Sequence, residues 1–272
     1  MKDVKFITIG GHRLEYRILP GGDDDAPMVV LLHEGLGSIS LWRDFPQKLA
    51  AATGCPLLVW SRHGYGRSDP LTGPRKVDYL HEEALLALPE LLEKLAIARP
   101  LLVGHSDGAT IALLFAALAE CPVEGVVAIA PHVFVEEISL EGIRQAGEAF
   151  RGGKLAEALA RHHRDATSTF AGWHDTWLRE DFRDWNIEDC LPRIEAPLLL
   201  IQGADDEYAT LAQLDAIEAG VSGPSQRLVL PGCGHIPHRE REAETLAAIA
   251  AFVQEVRQEP RGGPGGSAKG SL

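Results

Sequence analysis

Eight short stretches set the pattern of this chain, and they are of two kinds. Residues 4–9 and 13–19 alternate apolar and polar positions, with Gly10 and Gly11 between them. Alternation buries one face and leaves the other in water, so this pair reads as a hairpin. Residues 28–32 (MVVLL), 56–60 (PLLVW), 101–103 (LLV), 126–130 (VVAIA), 198–201 (LLLI) and 228–230 (LVL) are nearly continuous apolar runs. Strands covered on both faces look like this, and parallel sheets are covered on both faces. Helical stretches fill the intervals at 42–51, 77–95, 109–119, 211–219 and 240–256. Strand–helix alternation implies βαβ units with right-handed crossovers. The predicted fold class is α/β: a mostly parallel, eight-stranded sheet with helices on both faces.

One region breaks the alternation. From 133 to 191 no buried-strand run occurs, and helical stretches lead into a segment holding Phe170, Trp173, Trp177, Phe182 and Trp185. With the core at 1–132 and 192–257, this is a helical insertion between two strands. The aromatics can form a small core of their own or face a substrate pocket under a cap; the two readings are compatible. Residues 258–272 (QEPRGGPGGSAKGSL) are rich in Gly, Pro and Ser and are expected to be a disordered tail without chemistry.

Charge narrows the function classes. Lys and Arg total 26 against 39 Asp and Glu, a formal charge of −13. Such a surface argues against nucleic acid, whose phosphates need clustered Lys and Arg, and against docking on anionic lipid. The charged N-terminus has no apolar h-region, and no run approaches the ~18 apolar residues of a membrane span, so neither signal peptide nor membrane segment is expected. Cys55, Cys121, Cys190 and Cys233 are far apart and form no CxxC. Reduced thiols in a cytoplasm account for them better than disulfides or zinc, and no metal is expected.

The chemistry is concentrated after three of the apolar runs. Gly104-His105-Ser106-Asp107-Gly108 fits G-x-S-x-G, directly follows a strand and opens an Ala-rich helix. A sharp strand-to-helix turn presents the serine at the carboxyl end of the sheet, where helix amides favour negative charge. A serine hydroxyl needs a base within reach. Among eleven histidines, His235 in Gly232-Cys233-Gly234-His235 follows the last strand and so stands on the same edge. His238 ranks second because it starts a helix. His105 neighbours the serine and should point away from it, and His162 and His163 read as solvated or rim residues of the insertion. The orienting acid lies in Gly203-Ala204-Asp205-Asp206-Glu207, again after a strand, giving the chain order Ser, Asp, His.

Four motifs together resemble one family: HEGLGS at 33–38, SRHGYGRSD at 61–69, GHSDG at 104–108, and the pair GADD at 203–206 with GCGH at 232–235. From about residue 5 to 256 the sequence resembles the α/β-hydrolase superfamily, in its small esterase-like branch with a helical cap. The resemblance implies Ser106 as nucleophile, His235 as base and Asp206 as acid, with Asp205 in reserve. It implies an oxyanion hole from the backbone N–H groups of Asp107 and Gly35, Leu36 being the alternative to Gly35. Glu34 departs from the family, which has glycine there. A carboxylate beside an oxyanion would oppose the developing charge, so Glu34 is expected to turn outward, toward Arg62 or His63. The Asp107 side chain is expected to point to solvent or cap the helix, or else to favour a polar or cationic substrate. Candidate substrate-binding residues are Glu34, Leu36, His132, Trp173 and Trp177.

The activity implied is hydrolysis of small carboxylic esters through an acyl-enzyme, without cofactor. Carbon–carbon hydrolases of this fold often show GNS rather than GHS, and dehalogenases and epoxide hydrolases use an aspartate nucleophile; Ser106 argues against the latter two. Amide and lactone hydrolysis use the same apparatus. Non-catalytic binding proteins of the fold often lose a triad member, whereas all three are present here. The expected partner is a small-molecule ester, and monomer and homodimer both stay open.

Overall fold

The apolar runs form the centre of one eight-stranded sheet. In the computed structural model, which describes residues 3–23 and 25–258, its strands are β1 (Lys5–Ile9), β2 (His12–Leu19), β3 (Val29–Leu32), β4 (Leu57–Trp60), β5 (Leu101–His105), β6 (Gly125–Ile129), β7 (Leu198–Gly203) and β8 (Ser225–Leu230). They lie in the order β1-β2-β4-β3-β5-β6-β7-β8. The alternating pair β1 and β2 forms the antiparallel edge, and β3 to β8 run parallel.

Side-chain alternation divides the sheet between two cores. Val29, Leu31, Leu57, Val59, Leu101, Val103, Val127 and Ile129 face one layer, formed by α1 (Phe45–Thr53) and the C-terminal α10 (Glu242–Gln258). Val30, Leu32, Leu58, Trp60, Leu102, Val126 and Ala128 face the other. That layer holds α2 (Tyr79–Glu82), α3 (Leu88–Lys94), α4 (Asp107–Leu118) and α8 (Ala212–Gly220). Both faces are therefore dry, which is why the strands read as continuous apolar runs rather than alternating ones. Helix α4 is buried along nearly its whole length, from Asp107 to Phe115.

The single helix expected over 77–95 is instead α2 and α3 joined by a wider π turn, Glu83–Ala87. The turn precedes Pro89, which lacks an N–H and whose ring would crowd the carbonyl four residues earlier in a regular helix. The last helix is likewise interrupted at Arg241, leaving a short α9 (Pro237–Glu240) before α10. Helix α10 extends through Gln258, one residue into the stretch expected as a tail; residues 259–272 lie outside the described part.

Between β6 and β7 the chain forms α5 (Glu137–Arg151), α6 (Lys154–Ala160), α7 (Ala166–Trp177) and two short 3-10 turns. Its aromatics serve two purposes. Phe182 and Trp185 stack at 5.5 Å and join the core beside α2–α4, whereas Trp173 and Trp177 line a cavity over the sheet. Among the described residues no helix is long and apolar enough to cross a membrane.

Candidate active site

The loops after β3, β5, β6, β7 and β8 meet at the carboxyl edge of the parallel strands, the edge where open α/β sheets take ligands. The tightest is at Ser106, which turns the chain between β5 and α4 with φ 52° and ψ −119°. A positive φ costs a non-glycine residue on the order of 1–3 kcal/mol, so the surroundings must impose it. They do: the Ser106 N–H donates to the Ile129 carbonyl at 2.8 Å, and the Ser106 carbonyl accepts from Ala109 and Thr110 at 2.8 and 3.0 Å. Gly108 is needed because a Cβ there would run into the Leu32 carbonyl. The elbow and the end of β3 are thereby pressed together.

Ser106, His235 and Asp206 form one hydrogen-bonded chain. His235 Nε2 lies 3.0 Å from Ser106 Oγ. Its Nδ1 lies 2.8 and 2.9 Å from the two Asp206 oxygens. An ionised carboxylate can only accept, so Nδ1 carries the proton and Nε2 presents its lone pair to the hydroxyl. Asp206 Oδ1 also accepts the backbone N–H groups of Tyr208 at 2.8 Å and Ala209 at 3.2 Å. Burial works against the Asp206 charge, but the bond and charge of His235 outweigh it and lower the carboxyl pKa. Burial likewise disfavours a charged His235, yet Asp206 prevails and raises its pKa above the ordinary 6.5. Asp205, in contrast, is exposed.

All five residues expected at the substrate border one cavity of about 170 Å3, together with Gly35, Ser106 and Asp107. Besides His105 and His235, Ser139, Ile143, Tyr208 and Ile236 complete its wall. These four have no sequence signal; Tyr208 stands next to a run of three carboxylates, yet its ring packs 4.8 Å from that of His235. His132 lies between the Trp177 and His235 rings, and burial followed by the nearby His235 lowers its pKa to about 4, leaving it neutral at physiological pH.

Several side chains stand elsewhere than the sequence suggested. The Glu34 carboxylate does not reach out to Arg62 or His63. It borders the cavity, 29% exposed, with Oε2 3.6 Å from His105 Nδ1. The backbone carbonyl of Glu34 is what meets Arg62, at 3.0 Å. Burial opposes ionisation of Glu34, but the adjacent His105 outweighs it and holds the Glu34 pKa far below the ordinary 4.5. Asp107 neither faces solvent nor caps the helix. It is 1% exposed and accepts the Tyr79 hydroxyl at 2.7 Å, because α2, which begins at Tyr79, packs against α4. His105, which neighbours the serine and was expected to point away from it, donates from Nε2 to the His235 carbonyl at 2.7 Å. His238 is buried against Trp42, Phe45 and His105, away from the serine. His163 is no rim residue: it is 7% exposed, accepts the Gly66 N–H and donates to the Leu36 carbonyl, tying the insertion to two loops of the core.

Known proteins share this architecture. A family model described as the alpha/beta hydrolase family matches residues 29–249. The chain belongs to that family and is a hydrolase. The human serine hydrolase BPHL is 28% identical over 234 residues, covering 83% of this chain and 78% of that protein. A proline iminopeptidase of Lactobacillus helveticus is 22% identical over 291 residues, covering 90% and 95%. A solved carboxylesterase structure from Nitrososphaera gargenis superposes with a TM-score of 0.75 at 20% identity, covering 94% and 100%, a likeness of fold.

Proposed function

We propose that the protein is a serine hydrolase that cleaves carboxylic esters of small molecules through an acyl-enzyme on Ser106. The observation that carries this reading is the chain Ser106–His235–Asp206, with links of 3.0 and 2.8 Å, opening into a mostly apolar cavity. Ser106 Oγ attacks the acyl carbonyl as His235 Nε2 takes its proton, and Asp206 stabilises the imidazolium. The N–H groups of Gly35 and Asp107 receive the oxyanion. Protonated His235 returns the proton to the leaving alcohol, and water then releases the acid by the same path in reverse. The segment 133–191 acts as a cap, with Trp173 and Trp177 facing the acyl group. The four unpaired cysteines fit a reducing, cytoplasmic setting.

A p-nitrophenyl ester series of increasing acyl length tests the reading, together with labelling by a serine-reactive phosphonate. Turnover that favours short acyl chains, with Ser106 as the labelled residue, is the expected result. Labelling without turnover of any ester would move the assignment to an amide, lactone or carbon–carbon substrate. Neither labelling nor turnover would overturn it.

A second reading concerns the substrate. The Glu34 carboxylate borders the cavity and, among the described residues, no Lys or Arg does, so a substrate carrying a cationic group would meet an anionic side chain there. The proline iminopeptidase relatives make amide cleavage its natural form. Faster hydrolysis of an aminoacyl p-nitroanilide than of a neutral p-nitrophenyl ester would select this reading over the first.

Two variants probe the site itself. A Cβ on Gly35 would collide with the indole of Trp173. Gly35→Ala should therefore displace the N–H from the oxyanion position and cut kcat by about 10²- to 10³-fold; an unchanged kcat would remove Gly35 from the hole. Glu34→Gln takes away a charge that helps raise the His235 pKa. A neutral imidazole is the active base, so lowering that pKa makes the base available at lower pH. The acid limb of the kcat/KM profile is expected to move down in pH. An unmoved limb would show that Glu34 does not act on His235.

A further inference from the structure

Arg62, His33, Tyr79 and Asp107 form a buried polar cluster beside the site, and the proton path uses none of their side chains. Arg62 follows β4 and is 0% exposed. A guanidinium stays charged in proteins, and a buried charge is costly unless partners hold it. Its Nη2 donates to the His33 carbonyl at 3.2 Å and to the Glu34 carbonyl at 3.0 Å, and lies 3.7 Å from Asp107 Oδ2. His33 completes the grip: Nδ1 donates to the Glu34 carbonyl at 2.7 Å, and Nε2 accepts the Arg62 backbone N–H at 3.1 Å. Burial and the adjacent Arg62 keep the His33 pKa well below its ordinary value, so the ring is neutral, as this tautomer requires.

The direction of these bonds matters. A trans peptide points its C=O and its N–H to opposite sides. The Glu34 carbonyl shares a peptide plane with the Gly35 N–H. Drawing that carbonyl toward Arg62, away from the cavity, aims the Gly35 N–H into it. On the other side, Asp107 supplies the second N–H from the first position of α4. Its carboxylate is held by the Tyr79 hydroxyl at 2.7 Å, and that hydroxyl oxygen accepts the indole N–H of Trp177 at 2.9 Å. Trp177 belongs to the insertion and borders the cavity.

We infer that Arg62 is the positioning residue of the oxyanion hole, holding Gly35 through the Glu34 carbonyl and Asp107 through its carboxylate, and that Tyr79 links this brace to Trp177. The inference rests on the serine-hydrolase reading. It accounts for an aspartate at a position where its charge would oppose an oxyanion one peptide away: the Arg62 cation offsets it. It also makes organisation of the hole depend on the seating of Trp177, so the insertion and the hole are mechanically coupled.

The test measures kcat, KM, melting temperature and affinity for an alkyl trifluoromethyl ketone in four proteins: wild type, Tyr79→Phe, Arg62→Lys, and Arg62→Met combined with Asp107→Asn. The hemiketal oxyanion of the ketone reports on the hole. An ammonium reaches one carbonyl but cannot span both carbonyls and Asp107, so Arg62→Lys should lower kcat about 100-fold with KM within about twofold. Tyr79→Phe keeps the ring and loses one hydroxyl, and should lower kcat by about five- to tenfold. Ketone affinity should weaken by the same factors as kcat. The double variant removes both buried charges and is expected to regain melting temperature without regaining kcat. Recovery of kcat along with stability would overturn the inference, because Arg62 would then be only a charge partner. Unchanged kcat and ketone affinity in both single variants would also overturn it. A wild type that turns over no ester and takes no phosphonate would instead bring down the serine-hydrolase reading, and the inference with it.

Discussion

Ser106→Ala is expected to lower kcat by about six orders of magnitude, leaving residual hydrolysis of about 10³- to 10⁴-fold over water from the oxyanion donors and binding. The size of the effect follows from the way the three side chains work as a unit. Without Oγ, His235 has no proton to take at 3.0 Å, and the acyl-enzyme cannot form. Folding should be little affected, since Ser106 Oγ makes no hydrogen bond beyond His235 among the described residues. Alanine at this strained φ of 52° costs no more than serine does. Burst kinetics with a p-nitrophenyl ester provide the check: a burst in wild type and none in the variant. A Ser106→Ala protein keeping more than about a thousandth of wild-type kcat would show that another group carries the reaction.

The second large effect is expected at Asp206→Asn, about 10⁴-fold in kcat with nearly unchanged geometry. The carboxylate now accepts from His235 Nδ1 at 2.8 Å, which fixes the tautomer. An asparagine amide can donate there instead, which would leave Nδ1 as the acceptor and turn the Nε2 proton toward Ser106. The base would then be occupied. The acid limb should also move to lower pH, because Asp206 is the main group holding the His235 pKa up. Asp205→Asn is the control. Asp205 is exposed, and among the described residues only its backbone N–H is engaged, with the Cys233 carbonyl. A wild-type rate in Asp206→Asn, or a large loss in Asp205→Asn, would reverse the assignment of the acid.

The legible and the hidden parts of this molecule differ in physical kind. The strands could be read because burial on both faces leaves no polar position in runs such as VVLL at 29–32, a one-dimensional signature of a three-layer arrangement. Ser106 and His235 could be placed because crowded turns need glycine, and the glycines around both residues are visible in the chain. The break at Glu83–Ala87 was hidden, since apolar residues continue through it and only Pro89 hints at the cause. The Glu34–His105 contact was hidden for another reason. Glu34 lies in a loop, where no periodicity reports side-chain direction, His105 is the last residue of β5, and the two meet because β3 and β5 are neighbours. The Arg62 cluster gathers residues 33, 62, 79 and 107 from four separate segments, and its bonds go largely to carbonyls, which every residue has. Nothing in the identity of one partner announces the other.

The groups proposed to break the bond come from the core, and part of the cavity wall comes from elsewhere in the chain. Ser106, Asp206 and His235 hang from β5, β7 and β8, whereas Trp173, Trp177, Ile143 and Ser139 all come from the insertion. On the proposed reading, exchanging the stretch between β6 and β7 would redirect the chemistry to new molecules without rebuilding the triad. One condition follows from the proposed brace: whatever replaces Trp177 must still offer an N–H to the Tyr79 hydroxyl. A chimera that satisfies this should change its ranking of substrates while keeping its rate of phosphonate capture, and one that does not should lose both.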